Sequence, residues 1–309
     1  MQRSPERTRT RPRGRIHLAE ARTGALFVLP VLAGVAVFYL YPILKNFYSS
    51  FTQPNVFGTS SKFVGLANYE KLATDSAFGN ATVNTLTYTV VLMLGIPIAV
   101  IFASLISRPG LRFAKLYRIA FFMPYIAMPT AIALVWRLMF NGDFGIINQA
   151  LRSIGISDPP YWTSTPGFAI VAVSIVGMWS SIGFNMIILS AGLQAIPSEL
   201  YEAASIDGAS HWRQFRSITV PLLTPSIFFL TVIQAINGFQ VFDLLFAMMG
   251  SNNPAMPHTR TFVYLFYNEA FMVNHKGYAA AIAMAILLVV GILTALQFKL
   301  QKKWVQYLA

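Results

Sequence analysis

Six long apolar runs constrain this chain more than any other feature. A helix that crosses the hydrocarbon core of a bilayer needs about 20 mostly apolar residues, and runs of that length fall at about 23–47, 83–107, 117–140, 167–193, 222–249 and 277–298. Lipid offers no hydrogen bonds to a peptide backbone, so each run must be a helix or a strand of a closed barrel. The alternating ten-residue pattern of barrel strands is missing. Pro30, Pro97, Pro124 and Pro129 sit inside the runs, as membrane helices tolerate. The expected fold is therefore all-α, a polytopic membrane protein with six transmembrane helices. The first run follows a basic segment but is too long for a cleaved signal peptide, and no small-residue cleavage site follows it. It reads as an uncleaved span.

Composition supports this reading. Apolar residues make up 55% of the chain and charged residues 11%, against roughly 25% charged in soluble domains. Such a balance excludes an ordinary soluble domain and intrinsic disorder. With no Cys, disulfides, thiolate catalysis and Cys-ligated metals are excluded as well. The net charge is +12. In so apolar a chain this points to basic residues flanking spans, not to nucleic acid.

Those basic residues are distributed unevenly. Sixteen fall in the N-terminal tail, the loop between spans two and three (Arg108, Arg112, Lys115, Arg118), the loop between spans four and five (Arg213, Arg216) and the C-terminal tail (Lys299, Lys302, Lys303). Seven fall on the other side: Lys45, Lys62, Lys71, Arg137, Arg152, Arg260 and Lys276. The asymmetry places both termini in the cytoplasm. The layout is then an Arg-rich tail over 1–22, a six-span domain over 23–298 and a second tail over 299–309. The first tail reads as a topology signal that touches anionic membrane lipid.

Few ionisable residues fall within the spans. Asp243 lies in span five, and Arg137 lies near the outer end of span three, where it can snorkel. The four His are scattered over different segments, and no metal site is expected. A nucleophile–base pair and a phosphate-binding loop are both missing from the sequence, so the chain is expected to be no enzyme, with no catalytic residues and no cofactor of its own. Uncharged polar residues are commoner: Ser180, Ser181 and Asn185 in span four, and Gln234, Asn237 and Gln240 in span five. They fit interhelical hydrogen bonds or the lining of a path for a hydrophilic solute. Asn185, Asn237, Gln240 and Asp243 are the candidate path residues.

The loop over 194–221 is the most informative segment. Ser198 is positioned to cap a helix whose first turns hold Glu199 and Glu202, favourable against the helix dipole. Leu200, Ala203, Ala204 and Ala209 are small or apolar, and Gly208 is placed to stop that helix. Ser210 is positioned to cap a second helix with Trp212, Phe215 and Ile218 at i, i+3, i+6, and Pro221 to begin the next span. Two short helices with apolar faces suit docking against a partner, or a loop lying in the headgroup layer.

Glu202-Ala203-Ala204, then Gly208 after three residues, then Ile218 and Pro221 resemble the signature loop of bacterial ABC importer permeases. Val220 stands where that family usually has leucine. Asp207-Gly208-Ala209 with Trp212, Phe215 and Pro221-Leu222-Leu223 is similar to the carbohydrate-importer branch, of maltose, lactose and glycerol-3-phosphate type. So are Phe63 to Tyr69, Asn84-Thr85-Leu86 and Phe239 to Asp243. Lys302 to Val305 resembles the first of its two paired permeases. Gly250 to Pro254 departs from the usual Gly-Gly-Pro of the outer loop.

The resemblance implies a MetI-like permease fold in a bacterial inner membrane. It also implies a second homologous permease, two cytoplasmic ATPase subunits that bind the ATP, an external solute-binding protein and a polar small-molecule solute. Glu202, Ala203, Ala204, Asp207 and Gly208 would make the ATPase contact. The alternative is a stand-alone secondary carrier or channel, which would need intramembrane ion-coupling residues or an inverted repeat.

Overall fold

The computed structural model describes residues 18–54, 61–108 and 110–305. Most of the Arg-rich tail and the last four residues lie outside the described residues. The chain divides into two units, with the division between Tyr48 and Ser49.

The first unit is helical. Helix α1 (Leu18–Val35) runs through a π-helical turn (Ala36–Leu40) into α2 (Tyr41–Ser49). Over 22–49 this is one continuous apolar helix of membrane-crossing length.

The second unit opens with a two-stranded antiparallel hairpin, β1 (Thr52–Pro54) with β2 (Ser61–Phe63), in which Gln53 pairs with Lys62. The apolar pattern gave no hint of this hairpin. Helices α3 (Ala67–Thr74) and α4 (Ser76–Ile106) follow, with the Asp75 carboxylate accepting from Ala77 N–H at the start of α4. Next come α5 (Ala114–Ile126), α6 (Pro129–Met139), α7 (Ile146–Ser153) and α8 (Phe168–Gln194). The loop pair α9 (Ser198–Ile206) and α10 (His211–Gln214) leads through a π-helical stem (Phe215–Thr219) and α11 (Val220–Leu222) into α12 (Thr224–Phe239). Last are α13 (Asp243–Met249), α14 (Met256–Thr259), α15 (Phe262–Tyr267), a π-helical turn (Asn268–Met272) and α16 (Lys276–Trp304).

Two of the six expected spans are not single helices. Span three is broken between α5 and α6, with a bend of 96°. Met128 precedes Pro129 and takes ψ 125, because a proline ring disfavours the helical region for the residue before it. Span five bends by 62° between the stem and α12. It ends at Phe239, with Gln240 as its cap and Phe242 outside the helical region at φ −144. Among the described residues, four helices are thus long and apolar enough to cross a membrane unbroken, and six spans result if each bent pair counts as one. Pro221 lies in α11, ahead of the bend, and Pro225 sits in the first turn of α12.

Helix α4 is the hub of this unit and packs against α8, α12 and α15. One buried cluster joins Tyr88 and Leu92 of α4 to Val173 and Val176 of α8 and Leu245 and Met248 of α13. A second joins Ile96 and Ala99 to Leu189, Leu223 and Leu230. Between helices already in lipid, close packing supplies the attraction, and small residues permit it. Gly183 of α8 is one such contact: a Cβ there would lie 2.1 Å from the Phe121 carbonyl oxygen of α5.

Polar clips tie the outer segments to this frame. The Asn68 amide donates to the carbonyls of Ser50 (2.8 Å) and Thr52 (3.1 Å). The Asn84 amide donates to those of His258 (2.8 Å) and Arg260 (2.9 Å). Phe262 N–H donates to the Thr85 hydroxyl at 3.1 Å. Three residues of the family-like blocks thus satisfy backbone groups of irregular segments.

Candidate functional site

The two broken helices open onto a cavity of about 360 Å³. Where α12 ends at Phe239, the chain turns through Gln240 to Phe242 before α13 begins, and this turn forms one wall. Pro124, Tyr125 and Pro129, at the break between α5 and α6, form another. Tyr88 of α4 and Ser180 and Ser181 of α8 complete the lining.

Three of the four candidate path residues line this cavity. Asn237, Gln240 and Asp243 are all exposed. They do not share one helix, although the sequence places all three in span five. Asn237 is in the last turn of α12, Gln240 caps it, and Asp243 opens α13, where a carboxylate suits the helix dipole. Asp243 is the one carboxylate in the lining, and no Lys, Arg or His accompanies it.

Asn185 is the exception. It is fully buried behind Gln234, whose Nε2 donates to the Asn185 Oδ1 at 2.6 Å. The polar residues of spans four and five therefore divide between the two roles the sequence left open: Asn185 and Gln234 join helices, while Asn237 and Gln240 face open space. Sequence reasoning missed Tyr88 and Tyr125. Tyr125 stands between Pro124 and Pro129, and that proline spacing was the available signal of a broken helix wall.

The 194–221 loop forms the two expected helices, with one correction at its start. Pro197 holds the N-cap position and Ser198 is already helical, with no side-chain cap bond. Pro197 takes the extended entry at ψ 133, so Ser198 falls one position too late to cap. The end of α9 is as expected. Gly208 has φ +72, its N–H donates to the Ser205 carbonyl, and Ala209 N–H donates to that of Ala204 at 2.9 Å. This reversed pairing after a left-handed residue is a Schellman stop. Ser210 caps α10, accepting from Arg213 N–H at 3.4 Å.

Side-chain bonds fasten α9 to the stem of the next span. Tyr201 and Thr219 hydroxyls pair at 3.0 Å, and the Gln214 amide donates to the Ser205 hydroxyl at 2.9 Å. Tyr201, Phe215 and Ile218 pack onto the cluster around Leu189 and Leu223. The opposite surface is open: Glu202, Ala203, Asp207 and Gly208 are exposed, and Ala204 is half-buried. Leu200 is exposed too, and Ile206 (87%) and Trp212 (69%) present large apolar surfaces.

A helical membrane frame, a polar cavity between broken helices and an open helix pair bonded to a span together define a membrane permease. Residues 79–306 match the family described as binding-protein-dependent transport system inner membrane component, and the chain belongs to that family. Its relatives include the lactose transport system permease protein LacF of Rhizobium radiobacter, 36% identical over 279 residues, covering 89% of this chain and 92% of that one. The sn-glycerol-3-phosphate transport system permease protein UgpA of Agrobacterium fabrum is 34% identical over 284 residues, 91% of this chain and 95% of that one. The fold matches a bacterial ABC transporter involved in the import of the acidic polysaccharide alginate. Its TM-score is 0.80 at 21% identity, covering 95% of this chain and all of that one.

Proposed function

We propose that this chain forms one half of the translocation path of an ATP-driven importer for a sugar, oligosaccharide or glycerol-phosphate-type solute. It pairs with a second, homologous permease. Two cytoplasmic ATPase subunits bind and hydrolyse the ATP, and an external binding protein delivers the solute. Both termini face the cytoplasm, consistent with the basic asymmetry of the loops.

One observation carries this reading. The open surface of α9 and the cavity wall at Asn237 belong to one mechanical train. Helix α9 is bonded to the stem through Tyr201–Thr219 and Gln214–Ser205, and the stem continues across the bend into α12, which ends at the cavity. An ATPase that grips Glu202, Ala203, Ala204, Asp207 and Gly208 displaces α9, and α12 moves with it. Asn237, Gln240 and Asp243 offer donors and acceptors to a hydroxyl-rich solute, so that movement exposes them to alternate sides of the membrane. A single side of docking and a single side of solute capture give the cycle its direction.

Co-purification tests this. The tagged chain should bring down an ATPase subunit and a second permease, and the complex in proteoliposomes should take up solute only with ATP and the binding protein. Uptake by the chain alone, driven by an ion gradient, would instead establish the secondary-carrier reading.

A further inference from the structure

A second pocket lies along the same helix pair that walls the cavity. Helices α5 and α8 meet closely at Gly183 and Phe121, and Tyr125 stacks on Phe184 with ring centroids 4.9 Å apart. On one side of this seam the cavity touches Tyr125, Ser180 and Ser181. Toward the α9 end, a pocket of about 240 Å³ has apolar walls at Met186, Ile187 and Ala191, with Arg118, Ser190 and Gln194 as its polar groups. Ser181 and Ser190 are nine residues apart on α8, so about 13 Å of helix separates the two stations.

Arg118 makes this pocket chemically unusual. It lies in the second turn of α5 between the exposed apolar residues Tyr117 and Ile119. Its Nε is buried and has no hydrogen-bond partner among the described residues. No carboxylate occurs in the sequence between Asp75 and Asp143, so the segment around it offers no local counter-ion. A guanidinium keeps its charge under all ordinary conditions. A buried charge without a polar partner is costly, so the guanidinium favours water or a polar ligand in the pocket beside it. The Ser190 hydroxyl and the Gln194 amide add donors and acceptors to the same pocket.

We infer that this pocket is a second station on the solute path, on the α9 side of the cavity, where Arg118, Ser190 and Gln194 receive a hydroxyl-bearing solute on its way to release. The inference rests on the importer reading above. Arg118 donates to the solute's oxygens, and the pocket is wet when the path opens toward the ATPase side and closed off when it opens outward.

The chain has no Cys, so single cysteines report without background. Ser190→Cys, Gln194→Cys, Asn237→Cys and the apolar reference Leu116→Cys are each placed in the full transporter in proteoliposomes. They are treated with a negatively charged methanethiosulfonate on the α9 side. A thiol must ionise to react and does so poorly in apolar surroundings, so Ser190→Cys and Gln194→Cys should label at least about tenfold faster than Leu116→Cys without nucleotide, and slow by a similar factor when ATP and vanadate trap the outward state. Arg118→Gln should cut uptake severalfold with complex yield unchanged, and Arg118→Lys should restore part of it. Labelling of both pocket cysteines that is no faster than the reference, or blind to nucleotide, overturns the station if Asn237→Cys still responds. If Asn237→Cys is also blind to nucleotide, the importer reading falls with it.

Discussion

Gln234 and Asn185 hold α12 to α8 through a hydrogen bond of 2.6 Å between two buried side chains. The bond is unequal in what it leaves behind. Gln234 borders the cavity, where water can replace a lost partner. Asn185 is sealed, and its Nδ2 already has no partner among the described residues.

Gln234→Leu should therefore destabilise the protein more than Asn185→Leu. The first leaves a fully buried amide with nothing to bond, at a cost of about 1–3 kcal/mol. The second removes that amide and costs less. Thermal unfolding in detergent measures both, and the double variant should fall short of the sum because the two residues share one interaction.

Asn237→Leu and Gln240→Leu should lower solute uptake while the assembled complex is recovered in normal yield. Both side chains are exposed to the cavity and hold no other helix in place. Asp243→Ala should behave likewise, because its carboxylate also faces that open space. Loss of assembled complex for Asp243→Ala alone would assign Asp243 to a structural contact with the partner permease.

Gly208→Leu should uncouple the transporter. At φ +72 a branched side chain costs about 1–2 kcal/mol, and the loop can relieve it by undoing the stop of α9. Uptake should then fall while ATP hydrolysis continues, with membrane insertion intact. Glu202→Lys should weaken recovery of the ATPase subunit on co-purification, since it reverses a charge on the open surface of α9.

Tyr201→Phe tests the transmission itself. It removes only the hydroxyl that pairs with Thr219 and keeps the ring in the core. Uptake per ATP hydrolysed should drop, with Thr219→Val giving the same drop and no further loss in combination. Two independent, additive losses would show that the pair transmits nothing.

Much of this was legible in the sequence because hydrophobic length and helix punctuation are local. The apolar runs reported the spans, and Gly208 and Ser210 reported the stop and cap of the loop helices. The spacing of Pro124 and Pro129 hinted at a break in span three, but that it falls at Met128, and that span five breaks at Gln240, was not legible. A run of apolar residues has the same composition whether its helix is straight or bent, and Pro97 in α4 shows that proline alone does not break a span. The separation of Asn185 from Asn237 was equally hidden, because both are amides on apolar helices. Only the packing of α8 against α12 decides which one meets a partner and which meets open space.

The Asn84 clip bears on how the chain is made. Its two acceptors, at His258 and Arg260, lie more than 170 residues downstream, so α4 enters the bilayer with that amide unanswered until the ribosome has delivered most of the protein. Thr85, waiting for Phe262, is in the same position. The second span therefore cannot reach its final hydrogen-bonded state before the segment over 258–262 has been made, and a chain interrupted before residue 258 lacks both acceptors of the Asn84 amide.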